Sequence, residues 1–91
     1  MAKGEKVYYK RIDKGDTEYI YYIEKDEDGE YYVVIDVTMS YKVTPTLRHV
    51  WDHRVQCLKI SPEEVEKIKQ LLEKGVELFE EEYGNREWVE C

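Results

Sequence analysis

The chain has 91 residues, of which 42% are hydrophobic and 38% charged, and its net charge is −7. This composition is too apolar and too aromatic for a disordered chain. The length predicts one domain, residues 1–91, with little room for both a core and a deep catalytic pocket. No apolar run approaches the roughly 18 residues of a membrane span, and residues 1–6 lack the apolar segment of a signal peptide. We therefore expect a cytoplasmic protein without membrane association.

The negative charge is unevenly distributed along the chain. Residues 61–91 contain ten acidic and four basic residues, a net charge of −6, whereas residues 1–60 have a net charge of −1. Between Val37 and Ile60 the only acidic residue is Asp52, against four lysines and arginines. Abundant Glu and Lys with one Asn and two Gln is the composition of hyperthermophile proteins, and designed proteins share it.

The first half of the chain predicts a β-meander. Residues 7–12 and 17–25 read as two strands separated by a tight turn, in which Gly15 can adopt a positive φ. The Asp-Gly turn near residue 28 joins the second strand to a third at 31–42. In this third strand alternate residues share one face. We expect the set that includes Val34 to face mostly water and the other set to face the core, with Val33, Ile35 and Val37 buried. That set consists of Tyr31, Val33, Ile35, Val37, Met39 and Tyr41.

The segment 47–60 is ambiguous. Its apolar residues fit a helical stripe with Thr44 as N-cap and Pro45 at the first helical position. Its Val, His and Trp content and the helix start that follows it favour a fourth strand at about 48–59.

The C-terminal third predicts a long amphipathic helix at about 62–83. Ser61 is expected to cap the first amides, Pro62 suits the first turn, and Glu64 completes a capping box. Gly75 either destabilises the helix interior or marks a break in it. The predicted fold is α+β: a four-stranded antiparallel β-meander followed by one long C-terminal amphipathic helix.

The residues with catalytic or metal-binding chemistry form no convincing site. His49, His53 and Cys57 would share a helix face at spacings that zinc accepts, but on a strand His49 and Cys57 lie about 26 Å apart. Cys57 with His53 and Asp52 could form a nucleophilic group, although nothing places them in a cleft. Two free thiols are the default for Cys57 and Cys91 in a reducing cytosol, with a bridge as the alternative. We expect no enzyme activity, cofactor or metal.

A binding surface is the remaining candidate. Basic side chains follow phosphates, and aromatic rings stack on unpaired bases. The residues that combine these properties are Lys42, Arg48, Trp51, Arg54, Lys59, Tyr9 and Arg11. They predict a non-catalytic domain that binds single-stranded DNA or RNA. The alternative to a binding surface is that the tyrosines are ordinary strand residues that fill the core.

The order of four strands and a helix resembles the single-stranded-DNA-binding fold of transcriptional positive cofactor four and the plant Whirly proteins. The resemblance is closest where the last strand runs into the helix, residues 57–68, through the sequence Cys57-Leu58-Lys59-Ile60-Ser61-Pro62-Glu63-Glu64. It implies a homodimer joined through the helices, with sheets presenting aromatic and basic residues to an unwound strand. The matching positions here are Lys42, Arg48, Trp51 and Arg54. The net charge of −7 departs from this pattern, because it repels a polyanion.

Two other functions compete with nucleic-acid binding. An acidic protein-binding module or inhibitor, of the kind that phages and archaeal viruses use, would present a carboxylate-rich helix to a basic partner protein. The residues for that surface are Glu73, Glu77, Glu80 and Glu81. A designed or structural scaffold without a ligand is the third possibility.

Overall fold

The computed structural model describes residues 4–91, which form one antiparallel sheet and two helices. The elements are β1 Glu5–Lys14, β2 Thr17–Lys25, β3 Tyr31–Thr44, β4 Leu47–Ile60, α1 Glu64–Lys74, α2 Val76–Tyr83 and β5 Val89–Glu90. The strands pair in chain order from β1 to β5. The predicted α+β class with an antiparallel sheet is therefore confirmed, and the ambiguous segment 47–60 is a strand.

The prediction of four strands is wrong, because the C-terminal tail adds a fifth. Val89 and Glu90 pair with Cys57 and Gln56 on the outer edge of β4. Two residues carry no alternation pattern, so local sequence gives no sign of this strand. A disulfide bond between Cys57 and Cys91 holds it in place, replacing the two free thiols expected by default.

The prediction of one long helix is also wrong, because Gly75 breaks it into two. Gly75 has an extended backbone, with φ 162° and ψ 137°, so α1 ends at Lys74 and α2 restarts at Val76. Breaking a helix leaves its last carbonyl groups without intrahelical partners. The Lys10 ammonium group donates a hydrogen bond to the Leu72 carbonyl, and its positive charge suits the C-terminal end of α1.

The core lies between one face of the sheet and the two helices. Its buried residues are Tyr21, Ile23, Val33, Leu58, Ile60, Val65, Ile68, Leu72, Phe79 and Tyr83. Val33 is fully buried as expected, whereas Ile35 and Val37 are only half-buried because they lie farther along β3. Val34, expected to face water, is buried on the opposite face. Its lateral neighbours there are Tyr22 and Cys57.

The start of α1 is joined to the end of α2 through one carboxylate. Glu64 accepts hydrogen bonds from the Ser61 amide, the Ser61 hydroxyl and the Tyr83 hydroxyl, the last at 2.8 Å. Ser61 does not cap the helix amides as predicted, since its hydroxyl donates to Glu64 and the helix N-cap position is Glu63. The capping box is thus half formed, and Glu64 supplies that half.

This network predicts a loss of stability at alkaline pH. Burial, followed by the hydrogen bond to Glu64, raises the pKa of Tyr83 to about 12 from 10.0. The proton is therefore held more tightly in the folded state, so the stabilisation is complete below pH 10 and is lost as the pH rises towards 12. Tyr83→Phe should flatten the fall in melting temperature over this range. A variant with an unchanged alkaline limb would contradict this assignment.

Candidate nucleic-acid interface

The hairpin of β3 and β4 extends beyond the body of the sheet. The first residue of β2, Thr17, pairs with Met39, and β3 and β4 continue together past this point to their turn. All residues from 41 to 51 are exposed. We call residues 41–51 the arm. Its base is joined to the β1–β2 turn by a hydrogen bond from the Ser40 amide to the Asp16 carbonyl.

The arm combines cations and apolar side chains without a carboxylate. Lys42 and Arg48 pair across its two strands, and no acidic residue occurs between positions 37 and 51. Trp51 is 59% exposed and Tyr41 47% exposed. The Tyr41 ring lies beside the His49 ring, with 5.1 Å between their centroids. Five of the eight large hydrophobic residues that are exposed in residues 4–91 belong to the arm: Tyr41, Val43, Leu47, Val50 and Trp51.

A β-bulge at Trp51 divides the predicted basic residues between two faces. Met39 pairs with Asp52 and Ser40 pairs with Val50, so Trp51 is the extra residue on β4. Because strand side chains alternate, one extra residue reverses the faces beyond it. Arg48 therefore lies on the side away from the helices, where its Nε donates to the Ser40 hydroxyl at 3.1 Å. Arg54, opposite Val37, lies on the helix side of the sheet.

The predicted cations also differ in whether they are neutralised. Arg11 forms an ion pair with Glu18 at 2.6 Å, Arg54 with Asp52 at 3.1 Å, and Lys59 with Glu30 at 2.9 Å. The hydrogen bond to Glu30 raises the pKa of Lys59. Within residues 4–91, Lys42 and Arg48 have no carboxylate within ion-pairing distance. The unneutralised positive charge among the predicted set is therefore on the arm.

Tyr9 belongs to a separate aromatic area on the helix-free face of the sheet. It is exposed and pairs with Tyr22 across β1 and β2. The Lys6 ammonium group lies 4.7 Å from the centroid of the Tyr22 ring. The structure does not bring Tyr9 together with Trp51, because Tyr9 lies on the body of the sheet and Trp51 on the arm.

A polar cleft of about 380 Å³ lies at the base of the arm. Its lining residues are Arg11, Asp13, Gly15, Asp16, Thr17, Glu18, Thr38, Ser40, Lys42 and Arg48. The carboxylates come from β1, β2 and their turn, whereas Lys42 and Arg48 come from the arm. The cleft has no apolar wall, which small-molecule sites usually have, and its lining is of mixed charge, with three carboxylates and three cations.

The acidic residues predicted for a protein-binding surface lie on the two helices. Glu73 accepts a hydrogen bond from the Tyr8 hydroxyl at 2.7 Å, and Glu80 accepts one from Tyr21 at 3.3 Å. These two carboxylates therefore help to attach the helices to the sheet. Glu77 and Glu81 are exposed, and neither forms an ion pair within the described part of the chain.

The cysteine and histidine residues of the nucleophile and zinc alternatives have other partners in the structure. Cys57 is bonded to Cys91, so its sulfur is neither a free nucleophile nor a thiolate ligand. His53 Nε2 lies 2.7 Å from Asp36 rather than beside Asp52. Residues 4–91 contain no group of three or more histidine, cysteine or carboxylate side chains placed to hold a metal ion.

The chain matches no protein-family model, no curated protein and no solved structure. No helix in residues 4–91 is both long and apolar enough to cross a membrane.

Sequence reasoning did not identify the arm as a projecting element. Tyr41 was expected to face the core, yet it is exposed because no helix covers that part of β3. Val43, Leu47 and Val50 were not singled out. Two features of the sequence could have indicated the arm. One is the run from 38 to 51, which contains no acidic residue. The other is that the two predicted strands on either side of Pro45 are longer than the strand predicted at 17–25.

Proposed function

We propose that the chain binds single-stranded nucleic acid through the arm. The observation that carries this proposal is the combination of the exposed Trp51 ring with two unneutralised cations, Lys42 and Arg48, on a projecting hairpin without acidic residues; Tyr41 lies on the opposite, helix-side face of the arm. Aromatic rings stack on unpaired bases at about 1–3 kcal/mol each, and cations contact the phosphates.

The position of the acidic residues weakens the objection from net charge. The ten acidic residues of 61–91 belong to the helices and the tail, which pack on the body of the sheet through Ile68, Leu72 and Phe79. The arm residues take no part in that core, and the molecule is 45 Å long. Exposed charges separated by more than about 8 Å are largely screened at physiological ionic strength. Screening therefore reduces the repulsion from the helix carboxylates, whereas Asp13, Asp16 and Glu18, which line the cleft together with Lys42 and Arg48, still oppose a strand held at the base of the arm.

The experiment compares free and neutralised residues with a labelled single-stranded oligonucleotide. Trp51→Ala should weaken binding by about 1–3 kcal/mol through the loss of one stacked base. Its melting temperature should change little, because Trp51 is exposed. Arg48→Ala should also weaken binding.

The matched controls are Arg54→Ala and Lys59→Ala. Both residues are already paired with carboxylates, so their removal should affect binding less than the loss of Arg48. Equal effects of Arg48→Ala and Arg54→Ala would place the binding surface elsewhere than on the arm.

A second candidate function has one observation in its favour. Leu78 is 43% exposed on α2, where Glu77 and Glu81 are also exposed, so this helix face offers an apolar contact among carboxylates to a basic protein. If the chain binds no oligonucleotide at low salt, titration with a lysine-rich peptide tests this alternative. Amide NMR shifts confined to α2 would support it, and shifts spread over the surface would reject it.

A further inference from the structure

The outer edge of β4 is open along the arm. In residues 4–91, β5 covers this edge only at Gln56 and Cys57, with one more hydrogen bond from the Cys91 amide to Val55. From Leu47 to Arg54 no described strand lies beside it. An open edge presents unpaired backbone N–H and C=O groups, which readily pair with a strand from another chain.

The two outer strands of the sheet differ in how this edge is protected. β1 has a bulge near Val7 and four basic residues, Lys6, Lys10, Arg11 and Lys14, which are typical defences against pairing. The open stretch of β4 also has a bulge, at Trp51, and two basic residues, Arg48 and Arg54. It differs from β1 in its exposed large hydrophobic residues, which are Leu47, Val50 and Trp51 on β4 and only Tyr9 on β1. The open edge of β4 is therefore the one suited to a partner strand.

We propose that a second copy of this chain occupies that edge, with the two β4 strands antiparallel about a two-fold axis between Val50 and Trp51. This register places Val50 opposite the second copy's Trp51, and His49 opposite its Asp52. An apolar pair across strands is favourable, and a histidine ring can donate a hydrogen bond to a carboxylate. The two pairs nearest the axis are thus complementary.

The bulge makes this register compatible with two-fold symmetry. An axis perpendicular to the sheet requires opposed residues to lie on the same side of it. His49 pairs with Tyr41 and Asp52 pairs with Met39, so both lie on the helix side despite their odd spacing. Arg48 comes opposite the second copy's His53 on the other side, where His53 is in contact with Asp36 at 2.7 Å. Without the extra residue at Trp51, these pairs would point to opposite faces.

The dimer forms without nucleic acid, but it shares Trp51 with the proposed binding site and extends the proposed function. It places two arms side by side and brings Lys42 and Arg48 of both copies to the same face. The cationic surface then doubles.

Sedimentation velocity of the full chain without nucleic acid tests the proposal. The wild type should shift from monomer to dimer over a roughly hundredfold range of concentration. Val50→Lys should weaken the dimer by roughly tenfold or more, because two ammonium groups then meet near the axis. Val43→Lys is the matched control: it is equally exposed, at 55% against 54%, but lies on β3 at the opposite edge of the arm. Its dimerisation constant should match the wild type.

Hydrogen exchange provides the second measurement. Amides between residues 47 and 54 should gain protection as the protein concentration rises, while those of β1 should not. A chain that stays monomeric throughout, or a dimer equally sensitive to both lysine substitutions, would overturn the proposal. A dimer insensitive to Val50→Lys would point instead to the helix-mediated association that the family resemblance implies. Because the assay contains no nucleic acid, failure here leaves the oligonucleotide result to be decided separately.

Discussion

Replacing Val33 with aspartate is expected to unfold the domain. Val33 is fully buried in the middle of the sheet, between Ile23 on β2 and Leu58 on β4. An aspartate there would be a buried charge without a partner, or a protonated acid without its hydrogen bonds. The free-energy cost of either exceeds the few kcal/mol of stability that a small domain can lose. Circular dichroism should show little cooperative unfolding at any temperature.

The control is the same substitution at an exposed valine of the same strand. Val43→Asp lies on the arm, away from the core, so its effect on stability should be within about 0.5 kcal/mol. If Val33→Asp melts within a degree or two of the wild type, Val33 is not part of the buried core.

Removing the disulfide bond is expected to have the next largest effect. The bond joins residues 34 positions apart, and the loop it closes contains both helices. In the chain-entropy model, closing a loop of this length stabilises the folded state by roughly 3–4 kcal/mol. For a domain of this size, Cys91→Ser should therefore lower the melting temperature by roughly 15–30 °C.

Reduction of the wild type distinguishes the effect of losing the disulfide bond from the effect of replacing the Cys91 side chain. Dithiothreitol should lower the wild-type melting temperature to that of Cys91→Ser and leave the variant unchanged. Two free thiols per chain in the unreduced protein would contradict the bond. The same treatment should release Val89 from β4. It should also release Trp88 from the end of α2, where its indole N–H donates a hydrogen bond to the Tyr83 carbonyl at 2.9 Å.

The sequence predicts those parts of the fold that depend on local pattern. The Asp-Gly turn near residue 28, the alternation in β3 and the apolar stripe that includes Ile68 and Phe79 all gave the right type of element. The sequence indicates that Gly75 either breaks the helix or destabilises its interior. Which of the two occurs depends on what the second half of the helix packs against. The pairing of Val89 with Cys57 depends on a long-range covalent bond, which no local pattern encodes.

The candidate site was only partly predictable, for a related reason. Lys42, Arg48 and Trp51 were selected from composition alone. Whether a cation is neutralised depends on partners distant in sequence, such as Glu30 for Lys59. The extra residue at Trp51 places Arg54 on the face opposite to Arg48, and a bulge of this kind becomes visible only once β3 and β4 are paired.

The salt dependence of binding to a single-stranded oligonucleotide tests the central claim most directly. Each phosphate contact with a single strand contributes about −0.7 to the slope of log affinity against log salt concentration. Lys42 and Arg48 together predict a slope of about −1.4 per chain, which Arg48→Ala should reduce in magnitude by about 0.7 and Arg54→Ala should leave unchanged. An affinity that is independent of salt, or no measurable binding at low salt, would contradict the assignment of the arm as a nucleic-acid interface.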